Sequence, residues 1–168
     1  MTHNQYKLTQ LNQMSQAEFT EALGEIWEET PQIADRTWHN KPFEDLDSLH
    51  QAMVAVVDSM SESEQMALIK AHPDLGSKAK MADASVQEQA GAGLDRLSKS
   101  EYQRFQSLNQ AYKDKFDFPF IIAVKNHTLE SILEAFTQRL ENDCKTEKQQ
   151  ALTEIKKIAR LRLESLVN

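Results

Sequence analysis

The stretch from Ala71 to Leu94, AHPDLGSKAKMADASVQEQAGAGL, gathers side chains that can do chemistry in a chain that otherwise reads as plain helix. His72 stands directly before Pro73, and three of the chain's four glycines fall in this stretch. Pro73 disfavours helical backbone at His72, so a helix capped by Ser61 should end at about Ala71. His72 then lies beside carboxy-terminal carbonyls, whose partial negative charge favours imidazolium and raises the imidazole pKa toward neutrality. Such an imidazole suits a general acid. Gly76 supplies the turn that sends the chain away. Further on, Ser85-Val-Gln-Glu88 has the spacing of a capping box, and Gln89 follows it. A helix amino end offers N–H groups and partial positive charge to an anion such as a substrate carboxylate. Glu88 and Gln89 can hydrogen-bond a ring rich in N–H and C=O groups.

A plainer reading stands beside each of these. A histidine before proline can be an ordinary loop residue. Ser85 and Glu88 can be a helix cap, like Ser15 with Glu18, Ser61 with Glu64, Ser98 with Glu101 and Thr146 with Gln149. His72, Asp74 and Glu88 together raise the question of a metal, but the HExxH and HxH spacings are absent, so no metal is expected. Gly91 and Gly93 form no phosphate loop, because no strand precedes them and no Lys-Ser/Thr follows. Arg160 and Arg162 lie two apart on a helix and so point to different faces, one for the surface and one able to reach a pocket.

The elements that must position these groups are helical. Phe19, Leu23, Ile26 and Trp27 follow the first cap at helical spacing. Leu46 to Val57 marks a second helix, Ser61 opens a third, and a stripe from Tyr102 to Phe116 marks a longer one. Thr128 to about Asp143 and Thr146 to Leu166 complete the series. The segment TPQIADRTWHNKPF, with Pro31 and Pro42, reads as a loop or short turns. Only FPFIIAV, Phe118 to Val124, has extended character, and one short run cannot build a sheet. It reads as a buried helix or a buried extended segment. The expected fold is all-α, a single-domain bundle of about seven to eight helices over residues 1–168.

The 26 acidic against 19 basic residues leave a net charge of −7, which argues against nucleic acid as a partner. The single cysteine, Cys144, permits no internal disulfide and fits a reducing compartment. No apolar run resembles a signal peptide or a membrane span, so a cytoplasmic protein with no membrane partner is expected.

Taken together, AHPDLGSKAKMADASVQEQAGAGL, YKDKFDFPFIIAV and EIKKIARLRLESL resemble the 2-oxo-4-hydroxy-4-carboxy-5-ureidoimidazoline (OHCU) decarboxylases of urate breakdown. MSQAEFTEALGEIWEETPQIADRTWHNKPF adds weaker support, and the resemblance covers nearly the whole chain. One departure is Asp117, where family members often carry glycine; it touches a turn rather than the chemistry. The resemblance implies a cofactor-free, all-α enzyme, usually a homodimer, that makes (S)-allantoin and CO2 from OHCU. It makes His72 the catalytic acid, with Glu88 assisting. It places Pro73, Ser85, Glu88 and Gln89 against the substrate. Phe120, Ile121, Ile122, Ala123 and Val124 would lend it backbone groups. The arginine it carries over is Arg162, with Arg160 as the alternative. Two readings from other classes stand against it: a non-catalytic helical interaction module, and a metal-dependent hydrolase of a ureido compound built on His72, Asp74 and Glu88.

Overall fold

The computed structural model describes residues 5–76 and 83–167, with the side chains of 83–85 excepted. Among the described residues the chain is all-α. Its helices are α1 (Leu8–Gln13), α2 (Gln16–Leu23), α3 (Gln32–Thr37), α4 (Leu46–Ser59), α5 (Glu62–Lys70), α6 (Asp83–Gly91), α7 (Lys99–Phe116), α8 (Leu129–Arg139) and α9 (Cys144–Leu166). Two 3-10 turns, Trp38–Asn40 and Val124–Asn126, complete the set. The count exceeds the expected seven to eight because α1 and α3, six residues each, carry too little periodicity to be read from sequence.

Local chemistry explains where the helices start. Ser15 accepts from the Glu18 N–H while Glu18 reaches back to the Ser15 N–H, and Ser98 with Glu101 does the same for α7. Ser61 and Glu64 form the reciprocal pair that opens α5. Two expected caps are displaced. Helix α9 begins at Cys144 rather than after Thr146, because Asp143 takes the cap and accepts from the Thr146 N–H at 2.7 Å. Helix α6 begins at Asp83, which puts Ser85 inside its first turn instead of at its cap.

The chain divides into two compact units. The first, residues 5–68 and 156–167 as described, buries Phe19, Leu23, Trp27, Ile33, Leu49, Met53 and Leu163. Within it Phe19 and Phe43 pack with centroids 6.0 Å apart, and the Trp27 indole N–H points at the Met53 sulfur at 3.3 Å. The Asn12 side chain satisfies both the N–H and the C=O of Phe43, at 2.8 and 2.9 Å.

The second unit, Ile69–Ile155, carries the odd passage of the sequence. Its interior is aromatic. Phe120 stacks on Phe136 at 3.8 Å, and Tyr112 meets Phe116, Phe118, Phe120 and Phe136 within about one ring diameter. The FPFIIAV run is neither helix nor strand. It is an irregular strap whose seven residues are all buried, and it ends in the 3-10 turn Val124–Asn126.

Helix α7 ends on Asp117 in the left-handed conformation, φ 65°, where its N–H bonds to the Lys113 carbonyl at 2.8 Å. Glycine holds that conformation without the Cβ penalty. The Asp117 carboxylate is exposed and lies 3.9 Å from Lys70, a pair of little worth. Asp117→Gly is therefore expected to stabilise the protein by about 0.5–1 kcal/mol, net of the added unfolded-state freedom. A thermal melt should rise by about 1–4 °C; a fall would mean that the carboxylate has a role in holding the turn.

Candidate active site

The site is assembled around a turn that cannot be helix. The His72 N–H closes the last turn of α5 on the Ile69 carbonyl at 3.2 Å, and Pro73 prevents continuation. The helix stops at Lys70, one residue before the expected end. His72 is 8% exposed, so the imidazole belongs to the interior rather than to a solvated loop. Three residues on, Leu75 is buried and Gly76 turns the chain at φ +68°. The backbone angle favours glycine there, and a Cβ would also press on the terminal methyl of Leu97 at 2.8 Å, which would have to move aside.

Helix α6 holds this turn directly. The Gln89 side-chain carbonyl accepts from the Gly76 N–H at 3.0 Å, and its amide donates to the Asp74 carbonyl at 3.4 Å. One buried amide therefore grips both sides of the turn that follows His72. Helix α7 adds two more grips: Asn109 donates to the Leu75 carbonyl at 2.9 Å, and Lys113 pairs with the Asp74 carboxylate at 2.7 Å. The His72 loop is pinned at three successive residues. The Lys113 pairing also engages the carboxylate that the metal-hydrolase alternative would need as a ligand. Among the described residues no group of three His, Cys, Asp or Glu side chains is close enough to hold a metal ion.

Helix α6, which carries Glu88 and Gln89, also packs against the Val124–Asn126 turn at the end of the buried strap. Glu88 is half-buried on that helix. In the strap, the Ile121 carbonyl accepts from Arg139 at 2.6 Å, and the Ala123 N–H donates to Glu154 at 3.1 Å. Between them, no bond to the N–H or C=O of Ile122 is seen among the described residues, and the same holds for the N–H and C=O of Phe118 and Phe120. Backbone groups that meet no partner within the protein are a natural offering to a polar ligand.

His72, Pro73, Glu88, Gln89 and the strap Phe120 to Val124 all belong to the second unit. The Ser85 side chain lies outside the described residues. Arg160 and Arg162 belong to the first unit. There Arg160 is engaged by Glu164 and Asp47 at the surface, whereas Arg162 is 8% exposed. Arg162 pairs with the buried Glu28 at 3.1 Å and donates to the carbonyls of Glu25 and Ile26. The two faces expected from their spacing are the two faces seen.

Sequence reasoning passed over Asn109, Lys113, Arg139, Glu147 and Glu154. One signal was present. Asn109 sits in the apolar register of α7 with Phe105, Tyr112 and Phe116, and a polar residue there asks for a buried partner.

A family model for OHCU decarboxylase matches residues 12–164. The chain belongs to the OHCU decarboxylase family. It is 47% identical over 156 residues to the 2-oxo-4-hydroxy-4-carboxy-5-ureidoimidazoline decarboxylase of Halalkalicoccus jeotgali, covering 93% of this chain and 89% of that one. It is 44% identical over 160 residues to a uric acid degradation bifunctional protein of Bacillus sp. strain TB-90, covering 95% of this chain but only 32% of the longer protein. The crystal structure of an (S)-allantoin synthase superposes with a TM-score of 0.78 at 31% identity, over 95% of this chain and 53% of that one. No helix of the described OHCU decarboxylase chain is long and apolar enough to cross a membrane.

The turn after His72 yields a test. Replacing Gln89 by leucine keeps bulk but orphans the Gly76 N–H and the Asp74 carbonyl. The expected loss is about 1–3 kcal/mol of stability, the usual penalty for a buried unpaired group. The His72 ring resonances should shift in the NMR spectrum of the folded variant; an unchanged melt and unchanged ring signals would show that the amide grips nothing that matters.

Proposed function

We propose that the protein decarboxylates OHCU to (S)-allantoin and CO2 without a cofactor, with His72 as general acid. The observation that carries this reading is the Gln89 amide bonded across the His72 turn, which joins the two halves of the family motif in one place. The match over residues 12–164 supports treating residues 1–168 as one catalytic domain.

The chemistry follows from the substrate. Its carboxylate leaves from a ring carbon that also bears a hydroxyl and adjoins a C=N bond. As the C–C bond to CO2 breaks, its electron pair forms a C=C bond within the ring. The C=N pair moves onto nitrogen, which takes a proton. The resulting enol gives up its hydroxyl proton to become a carbonyl, while the neighbouring carbon takes a proton from one side. The substrate is its own electron sink, so the role a cofactor plays in harder decarboxylations is already filled.

Two tasks remain for the protein. It must hold the breaking bond perpendicular to the ring so that its electrons overlap the π system. It must also deliver a proton to a single face of carbon, which fixes the handedness of the product. In this reading His72 delivers that proton from its place at the end of α5. Glu88 grips ureido or ring N–H groups, and Ser85, Gln89 and the strap Phe120 to Val124 complete the polar cradle beside Pro73. Arg162 enters on the resemblance alone, as the cation for a carboxylate or carbonyl oxygen. A tight grip on the leaving carboxylate would stabilise the ground state and slow the reaction, so polar contacts are better placed on the ring. The reading extends to a cytoplasmic homodimer, which light scattering would report as twice the chain mass.

The decisive experiment follows freshly made OHCU by circular dichroism. Optically active allantoin should accumulate with the protein, against slow racemic decay in buffer. His72→Asn should keep the far-ultraviolet spectrum and lower kcat by about 10²–10⁴-fold, the usual worth of a positioned general acid. Near wild-type turnover by that variant would remove His72 from the mechanism.

A further inference from the structure

The strap Phe118 to Val124 is an unusual thing to bury. Seven successive residues lie inside, and backbone pairing reaches only the carbonyls of Ala123 and Val124, which accept from the N–H groups of Asn126 and His127. The remaining polar groups are left to side chains or to a ligand. Pro119 removes one donor from the account. Two charged side chains meet the groups on either side of Ile122: Arg139 at the Ile121 carbonyl and Glu154 at the Ala123 N–H.

Arg139 is itself held with unusual care. Its Nε donates to Glu147 at 2.8 Å, its Nη1 donates to the Ile121 carbonyl, and its guanidinium lies over the Phe120 ring at 4.3 Å. It thus touches two successive strap residues, one through the ring and one through the backbone. Glu147 has no exposed surface, and Tyr112 and Asn142 complete its shell at 2.6 and 2.9 Å. Burial and the neighbouring carboxylate raise the Tyr112 pKa far above the ordinary phenol value, so the hydroxyl remains a donor.

A buried ion pair is often no more stable than apolar residues of the same size, and here Arg139 Nη2 is buried with no hydrogen-bond partner among the described residues. What a guanidinium supplies, and an apolar group or a lysine does not, is a rigid planar fork that fixes direction.

We propose that Arg139, oriented by Glu147, is a positioning residue: it fixes the Ile121 carbonyl and so turns the N–H of Ile122, which lies in the same peptide plane, toward the substrate. This rests on the decarboxylase reading. Its contribution is binding common to ground state and transition state, because the ring groups that the strap would meet persist through CO2 loss. Loss of such binding raises KM and leaves kcat alone, opposite to the pattern expected for His72.

The test measures Arg139→Lys and Tyr112→Phe beside wild type, with fresh OHCU for kinetics and allantoin as the probe in proton–nitrogen NMR spectra. In wild type the Ile122 amide should move when allantoin is added. In Arg139→Lys that response should be lost and KM should rise about tenfold, with kcat within threefold. Tyr112→Phe keeps the aromatic packing and removes one donor from Glu147, so it should raise KM two- to threefold. It carries the test alone if Arg139→Lys does not fold. A folded Arg139→Lys with wild-type KM and an unchanged Ile122 response overturns the proposal. So does a Tyr112→Phe without effect when Arg139→Lys is unfolded. A wild-type Ile122 amide that ignores allantoin while the enzyme turns over OHCU also overturns it. If wild type makes no optically active allantoin, the decarboxylase reading fails instead. The ligand-free Ile122 resonance, compared between wild type and variant, then still shows whether Arg139 holds the strap.

Discussion

The arrangement depends on a short piece of backbone that cannot be helix and must nevertheless be fixed. Pro73 ends α5, Gly76 reverses the chain, and among the described residues the turn between them has no neighbouring strand to bond. Left to itself such a turn would sample many conformations, and an imidazole on it would point in many directions. The Gln89 amide removes that freedom with one side chain, because a primary amide carries a donor and an acceptor and can engage both sides of a turn. Asn109 and Lys113, one helical turn apart on α7, fasten the intervening residues. The turn that follows His72 is thus held by these three side chains, while His72 itself is tied to α5 through its N–H.

The buried strap meets the same difficulty by the same means. Its aromatic side chains contribute apolar burial, with Phe120 on Phe136 and Phe118 against Tyr112. That packing fixes where the strap lies, and charged side chains at Ile121 and Ala123 fix which way its peptide groups face. Hydrophobic contact is non-directional, whereas a hydrogen bond to a planar fork is not. The unit therefore spends its apolar residues on cohesion and its buried polar residues on orientation. Glu147, with three donors around it, is the point from which that orientation is transmitted to Arg139.

The sequence shows the fold more readily than it shows this division of labour. The all-α class, the stop at Pro73 and the caps at Ser15, Ser61 and Ser98 are local facts, set by residues a few positions apart, and they are legible for that reason. Helices α1 and α3 were not, since six residues hold too few turns to show a stripe and form only because the surroundings favour them. Asp143 and Thr146 are both legitimate caps for α9, and spacing alone does not choose between them. The motif residues His72, Glu88 and Gln89 stand out by type, but Arg139 and Glu147 do not. They lie eight apart across the break between α8 and α9, where helical periodicity predicts no contact. Glu28, which holds Arg162 in the first unit, is further still from its partner in sequence.

The proposed chemistry explains why so much of the structure is devoted to direction. A decarboxylation whose electron sink lies within the substrate needs no reactive metal or prosthetic group, so little can be gained by making side chains more reactive. What can be gained is alignment of the breaking bond and one-sided delivery of a proton, and well-oriented reactions gain several orders of magnitude from alignment alone. Misplacement of an ångström would forfeit much of that. On this view the buried amides that hold the His72 turn serve alignment and proton delivery, while the Arg139–Glu147 pair serves binding by fixing the Ile121 peptide. Both are means by which a helical fold, whose regular parts present only side chains, brings an imidazole and a peptide group to fixed places.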